Sequence, residues 1–214
     1  GKSKYLIIEA DEHFASFLQY HPSIIVLTTV EADHLDYYKN LKNIITAFKK
    51  YISLLPKNGI LVVNGDDPNI QNILGSMQKI LNTMNSTTVP NRVSFSLLQK
   101  EATKLKEIMK IPGEHNVSNG LAVLAVARAL GIKDSIAYET LSEYRGSWRR
   151  FEIFNLQKPR PFTLVSDYGH HPTEVRATLK GAREMFPDKK ITVVFQPHLY
   201  SRTKQHLDEF AGSF

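Results

Sequence analysis

Apolar positions fall in short blocks that alternate between two periods, and the blocks stop on polar clusters. Residues 5–8 (Tyr-Leu-Ile-Ile), 23–29 and 60–63 read as buried strands, ending at Glu9-Ala10-Asp11-Glu12, Glu31-Ala32-Asp33-His34-Leu35-Asp36 and Asn64-Gly65-Asp66-Asp67-Pro68. Between the last two, Leu41, Ile44, Ile45, Phe48 and Ile52 recur at helical spacing and predict a helix over 41–55, with Lys57-Asn58-Gly59 turning the chain afterwards. From 74 to 110 the pattern weakens, and 82–91, rich in Ser, Thr and Asn, is consistent with short strands or a flexible excursion. Residues 111–120 open a helix over 121–130 that Gly131 stops, and a second helix is expected over 133–144. Arg145-Gly146-Ser147 reads as a hinge. Beyond it a strand at 162–166, a helix at 172–185 and a strand at 191–195 restart the alternation.

This order predicts an α/β protein with a mainly parallel sheet, divided into domains at 1–146 and 147–214. Strands that close on acidic or polar residues put a site along the carboxyl edge of the sheet. The most concentrated such corner is Asp167-Tyr168-Gly169-His170-His171-Pro172-Thr173-Glu174, between the strand at 162–166 and the following helix. Gly169 permits a sharp turn, and Pro172 suits a first helical turn.

Composition narrows the chemistry. The 214 residues are 42% hydrophobic and 22% charged, ordinary for a globular chain, and no apolar run nears the ~18 residues of a membrane span. With no cysteine there is no disulfide, thiolate nucleophile or cysteine–zinc site. The net charge of +6 favours anionic partners. Its basic residues are scattered and RNA-type aromatic motifs are missing, so small phosphorylated ligands fit better than polynucleotide.

Glu9 with Asp11, and Asp33, His34 and Asp36, place carboxylates and an imidazole at successive strand ends, an arrangement suited to Mg²⁺ and equally to helix capping. His34 fits the metal reading less well, because imidazole suits softer metals. His115-Asn116 and Asn119 at a helix start are caps or anion contacts, and Arg149-Arg150 is a solvated basic pair or a phosphate clamp.

Seven motifs then occur in a recognisable order: Glu9-Ala-Asp-Glu12, Glu31-Ala-Asp-His34-Leu-Asp36, Asn64-Gly-Asp-Asp-Pro68, Gly113-Glu-His-Asn-Val-Ser-Asn119, Arg149-Arg-Phe-Glu152, Asp167-Tyr-Gly-His-His-Pro-Thr-Glu174 and Gln196-Pro-His-Leu-Tyr-Ser-Arg-Thr203. In this the chain resembles the Mur ligase family almost end to end, and Tyr168-Gly-His-His-Pro-Thr-Glu174 favours its alanine-adding branch. The resemblance implies an incomplete central ATP-binding domain over 1–146 and an incomplete Rossmann-like C-terminal domain over 147–214. It implies a cytoplasmic enzyme of peptidoglycan synthesis using ATP and Mg²⁺ to join L-alanine to UDP-N-acetylmuramate through an acyl phosphate. The alternatives are a recycling ligase that adds L-Ala-γ-D-Glu-meso-diaminopimelate, and a nucleotide-binding module without catalysis.

By the same resemblance Glu9 and His34 hold the metal, and Asn116, Asn119, Asp167 and Arg150 meet the nucleotide, Arg150 at its terminal phosphate. Tyr168, His170, His198 and Arg202 face the incoming amino acid, and Phe48, or Lys49 next to it, stands where several relatives carry a carbamylated lysine. The family's UDP-binding domain and Gly-Lys-Thr phosphate loop are not found in these residues. Gly1-Lys2-Ser3 leads straight into a strand rather than a helix, so it is read as coincidence. An internal piece of a longer enzyme is the expectation.

Overall fold

A computed structural model describes residues 3–83 and 91–214. The chain forms two compact units, Gly1–Ser94 and Phe95–Phe214. Residues 84–90, within the Ser/Thr/Asn-rich stretch, lie outside the described residues, as do Gly1 and Lys2.

In the first unit β1 (Ile24–Leu27) pairs in parallel with β2 (Ile60–Asn64), Ile24 opposite Ile60 and Leu27 opposite Val63, and the strand order is β1-β2-β3 with β3 at Asn91–Phe95. The central strand β2 buries three consecutive residues, Leu61, Val62 and Val63. A strand covered on both faces has no polar side to alternate with, which is why 60–63 reads as an unbroken apolar run.

α1 (Leu35–Tyr38) is one turn long, and α2 (Leu41–Ile52) starts at Asn40, whose side chain accepts the Asn43 N–H at 3.0 Å. α2 buries Ile44, Ala47, Phe48, Tyr51 and Ile52, steps of three and four that keep one face inward. Phe17, from a 3₁₀ segment at His13–Gln19, seals that face, its ring 5.2 Å from Phe48 and 4.6 Å from Tyr51. Phe48 is therefore a core residue. α3 (Pro68–Thr83) adds Ile70 and Ile73, both wholly buried. Truncating either to alanine removes roughly 2–5 kcal/mol.

In the second unit α4 (Lys100–Ile108), α5 (Glu114–Ala129) and α6 (Asp134–Glu143) pack through Leu105, Leu121, Leu124, Ala137 and Leu141. A Cβ on Gly120 would lie 3.0 Å from Met109 Sδ, so the missing side chain admits the preceding segment against α5. Arg128 joins the three helices by donating to Asp134 at 2.8 and 2.9 Å and to Glu101 at 2.9 Å. β4 (Glu152–Leu156) and β5 (Phe162–Ser166) form an antiparallel hairpin, followed by α7 (Pro172–Met185), α8 (Tyr200–Gln205) and α9 (Leu207–Ala211).

The α/β class, β1, α2, β2, α6, β5 and α7 agree with the sequence expectation. α5 starts at Glu114, so His115, Asn116 and Asn119 lie within its first turns. Two expected strands are corrected. Residues 5–8 and 191–195 have no regular structure, and Leu6, Ile7 and Val194 are 84%, 93% and 95% exposed. An apolar run becomes a strand only where a neighbour takes up its N–H and C=O groups, and among the described residues neither run has a ladder partner.

Candidate active-site residues in the two units

In the first unit the loop after β1 brings His34 to the N-cap of α1 in a left-handed conformation, φ 52°. Asp33 Oδ1 accepts the His34 N–H at 2.7 Å, a local bond that offsets the cost of that geometry. The His34 Nε2 atom lies 3.7 Å from Glu12 Oε1 and 3.8 Å from Asp33 Oδ2. Ligand atoms of Asp11, Glu12 and His34 all fall within 4.8 Å of one another. His13 stacks on His34 with ring centroids 4.2 Å apart, and Phe14 stacks on His13 at 4.1 Å.

This packing depends on a kink in which Phe14 and Ala15 adopt φ of 53° and 55°. The Tyr38 hydroxyl donates to the Glu12 carbonyl. Burial above all, then the neighbouring Tyr37 and Glu12, push the Tyr38 phenol up to about 12, so it stays a donor at neutral pH. Glu9 is exposed on the segment ahead of the cluster and is not one of its members. The structure thus gathers His34 with Asp11, one of the strand-end carboxylates, and with Glu12, while Glu9, which the resemblance pairs with His34, lies outside this group.

One feature escaped the sequence reading. Asp67, 9% exposed, accepts from Thr29 Oγ1 and the Val30 N–H, both at 3.1 Å, and from the Ile70 N–H at 2.8 Å. The signal available was an Asp directly before Pro68 at a helix start, the pattern of an N-cap with proline at N1.

In the second unit the turn between β5 and α7 is held by its own carboxylates. Asp167 accepts the Gly169 N–H at 2.7 Å through one oxygen and the Phe151 N–H at 2.9 Å through the other. Glu174 accepts the N–H groups of His170 at 2.9 Å and His171 at 3.1 Å, completing a capping box with His171 as the N-cap. Arg150 reaches the second oxygen of Glu174 at 3.3 Å. Burial works to raise the Glu174 carboxyl. The His170 N–H and charge, the His171 N–H and Arg150 outweigh it and hold the group below the usual carboxylate range.

Arg149 and Phe151 adopt φ of 54° and 51°. Arg149 is fixed there because Glu152 accepts its N–H at 3.1 Å and its own carbonyl accepts the Tyr168 N–H at 2.8 Å. Its guanidinium lies 5.0 Å from the Tyr168 ring centre, and that of Arg150 lies 5.8 Å from it. His170 Nδ1 is 3.0 Å from the Tyr168 carbonyl. A carbonyl only accepts, so Nδ1 carries the proton and Nε2 is the basic nitrogen. The His198 ring lies 6.4 Å from that of His170.

Arg150, Asp167, Tyr168, His170 and His198 therefore form one neighbourhood. α5 packs on α7, and the Glu114–Lys180 ion pair links them. A Cβ on Gly181 would stand 3.5 Å from the Gly113 backbone at the head of α5. Asn119 is exposed, while Asn116 Nδ2 donates to the Pro112 carbonyl at 2.6 Å. Arg202, on α8, is only 7% exposed and offers little surface to a ligand in this conformation.

Residues 1–127 match the Mur ligase middle domain, and residues 149–214 match the Mur ligase glutamate ligase domain. The chain belongs to the Mur ligase family. Over its whole length it is 37% identical to the UDP-N-acetylmuramate--L-alanine ligase of Caldanaerobacter subterraneus subsp. tengcongensis and 40% identical to that of Acetivibrio thermocellus, covering 48% of each. It thus spans about half the length of the curated relatives it matches.

Among solved structures, the apo form of L. casei FPGS shares the fold with a TM-score of 0.62 at 15% identity, over 93% of this chain and 50% of that one. MurF from Acinetobacter baumannii does so with 0.58 at 17%, over 82% and 39%. MurF from Thermotoga maritima, solved in complex with ADP, gives 0.55 at 16%, over 78% and 40%.

Proposed function

We propose that this chain is part of an ADP-forming amide ligase that adds L-alanine to UDP-N-acetylmuramate in cytoplasmic peptidoglycan synthesis. The observation that carries the reading is similarity over the whole of this chain, at 36–40% identity, to relatives that all bear the name UDP-N-acetylmuramate--L-alanine ligase. No helix among the described residues is long and apolar enough to cross a membrane. The proposed boundary between middle and C-terminal domains is the hinge at 145–147, so that 1–146 and 147–214 each match one family domain in part.

In the reaction an oxygen of the lactyl carboxylate bonds to the terminal phosphorus of ATP as the bond to ADP breaks. The alanine nitrogen then attacks the acyl carbon, loses a proton, and the tetrahedral intermediate expels phosphate to leave the amide. Such chemistry depends on positioning and on neutralising phosphate charge.

His34 and Glu9 would hold Mg²⁺, which supplies that neutralisation when bound. The donor set suits a hard cation, because carboxylates surround the one imidazole, and Glu9 stands two residues before Asp11 on a segment without regular structure. Arg150 would meet the terminal phosphate, Asp167 the ribose, and Asn116 and Asn119 the nucleotide. The Asp167 oxygens each accept one backbone N–H, and a carboxylate has lone pairs left for a hydroxyl. Tyr168, His170, His198 and Arg202 would receive the amino acid, with His170 Nε2 as the nitrogen able to take the amine proton.

Arg202 as the carboxylate anchor separates L-alanine from a tripeptide, whose carboxylate lies several bonds further from its amine. With the complete ligase, L-alanine is expected to be used in preference to L-Ala-γ-D-Glu-meso-diaminopimelate. Losing a buried charged partner costs about 2–5 kcal/mol, so Arg202→Ala should raise the alanine KM roughly 30-fold or more while the ATP KM changes little. Preference for the tripeptide would overturn the alanine assignment, and an unchanged alanine KM would overturn the anchor.

Residues 1–214 contain no complete Gly-rich phosphate loop. The chain by itself is therefore expected to release no phosphate from ATP above a heat-treated control. Release that depends on UDP-N-acetylmuramate would contradict this.

A further inference from the structure

Three consecutive residues at the exit of β1 are held by side chains from the β2–α3 junction, 36 to 39 positions later. Asn64 Nδ2 donates to the Thr28 carbonyl at 2.9 Å. Asp67 Oδ2 accepts from Thr29 Oγ1 and from the Val30 N–H, both at 3.1 Å. Asn69 Nδ2 donates to the Val30 carbonyl at 2.7 Å. Val30 is 1% exposed and Asp67 9%, so the Asp67 bond to the Val30 N–H lies where water offers no substitute, whereas the Asn64 bond to Thr28 is exposed. The other oxygen of Asp67 caps α3 through the Ile70 N–H at 2.8 Å, so the clamp is itself anchored to a helix. Four residues beyond Val30 the same loop presents His34 in its left-handed conformation.

We infer that Asp67, with Asn69, is a positioning residue for the cation site at His34, acting through their bonds to Thr29 and Val30 rather than by contact with the site. This rests on the proposed cation role of His34. A site that must hold an imidazole against carboxylates tolerates little movement of the segment carrying it; hydrogen bonds made directly to metal ligands typically govern affinity by roughly 10–100-fold, and a clamp one step behind the ligand is expected at the lower end of that range. The physical argument separates two functions of one side chain. Asn is as good an N-cap as Asp. Asp67→Asn therefore keeps a cap for α3 but puts an amide where the Thr29 hydroxyl and Val30 N–H need an acceptor. Asn69→Ala removes the bond to the Val30 carbonyl without touching the cap.

The test is Mn²⁺ binding to chain 1–214, read from the free-ion electron paramagnetic resonance signal at a temperature where melting curves show every variant folded. Wild type, His34→Ala, Asp67→Asn, Asn69→Ala and Ile73→Val are compared. Ile73 is wholly buried in α3, so its truncation lowers stability without altering the clamp. Ile73→Val should bind as wild type does, whereas Asp67→Asn and Asn69→Ala should bind roughly 10-fold or more weakly. Amide exchange at residues 28–34 should also speed up in those two variants and not in Ile73→Val. If wild type and His34→Ala bind alike, the cation reading fails and this inference with it. If His34→Ala alone loses binding while both clamp variants match wild type, the cation reading stands and the positioning role is overturned. Should Asp67→Asn not fold, Asn69→Ala decides the matter.

Discussion

His34→Ala in the complete ligase is expected to lower turnover at least 100-fold, with little change in melting temperature. His34 is part-buried beside Glu12 and Asp33, and its neighbours Asp11 and Glu12 supply negative charge at the same point. On the proposed role, loss of the imidazole leaves the cation site one ligand fewer, and electrostatic stabilisation of a transferring phosphoryl group is of the kind whose loss costs on the order of 10²–10³ in turnover. Raising Mg²⁺ should recover part of the rate if the site is weakened rather than abolished. Glu9→Gln keeps size, removes charge and should act in the same direction, while its exposure means the fold is unaffected. Near-normal turnover of His34→Ala at low Mg²⁺ would remove the residue from the site. Near-normal turnover of Glu9→Gln, with loss in Glu12→Gln, would move the carboxylate role to the residue nearer the imidazole.

That second outcome bears on what a sequence can reveal. Glu9 and Glu12 differ by three positions, and the difference between them is decided by the kink at Phe14 and Ala15 and the stack of His13 on His34. Positive φ at two non-glycine residues has no periodic signature, so alternation along the chain says nothing of it. The clamp on residues 28–30 was hidden for another reason. Its partners lie 36 to 39 positions apart, and a hydrogen bond across that distance leaves no local pattern.

By contrast, the corner at 167–174 was legible because all its determinants are adjacent: the apolar strand, the turn glycine, proline at the first helical position and the Glu174 cap. Strands were legible where a neighbour exists, as β2 has in β1. They were not where it is lacking, as at 5–8 and 191–195, since pairing is a property of two segments. β4 went unread because Glu-Ile-Phe-Asn-Leu lacks a clean alternation, and both strands of its hairpin are mostly exposed.

If Arg150 meets the terminal phosphate as proposed, Arg150→Ala is expected to reduce turnover by roughly 10²–10³ in the complete ligase, the usual consequence of removing a charged donor from a transferring phosphoryl group. Arg150→Lys should recover only part, because an ammonium lacks the planar fork of donors that a phosphate oxygen pair accepts. Arg150 also touches Glu174, and this supplies a second readout that does not depend on catalysis. The folded-state Glu174 carboxyl lies below its ordinary value, so it contributes stability above the unfolded-state value that is lost as pH falls through the folded one. Arg150 is one of the groups holding it down, after the His170 and His171 contacts. Removing Arg150 narrows the gap between the two values, so the Glu174 contribution is smaller and its loss, which begins at the same unfolded-state value, is complete at a higher pH. Both partners are substantially exposed, which keeps the stability effect small. Thermal unfolding of Arg150→Ala followed from pH 7 to pH 3 should therefore show a slightly lower stability at neutral pH and a smaller decline on the acid side, while Arg150→Lys stays near wild type. A full loss of turnover with no such change in the acid-side decline would leave the phosphate role intact and remove the ion pair. Turnover within a few-fold of wild type would overturn the phosphate role itself, leaving Arg150 as a brace between the Arg-Arg-Phe-Glu turn and the head of α7.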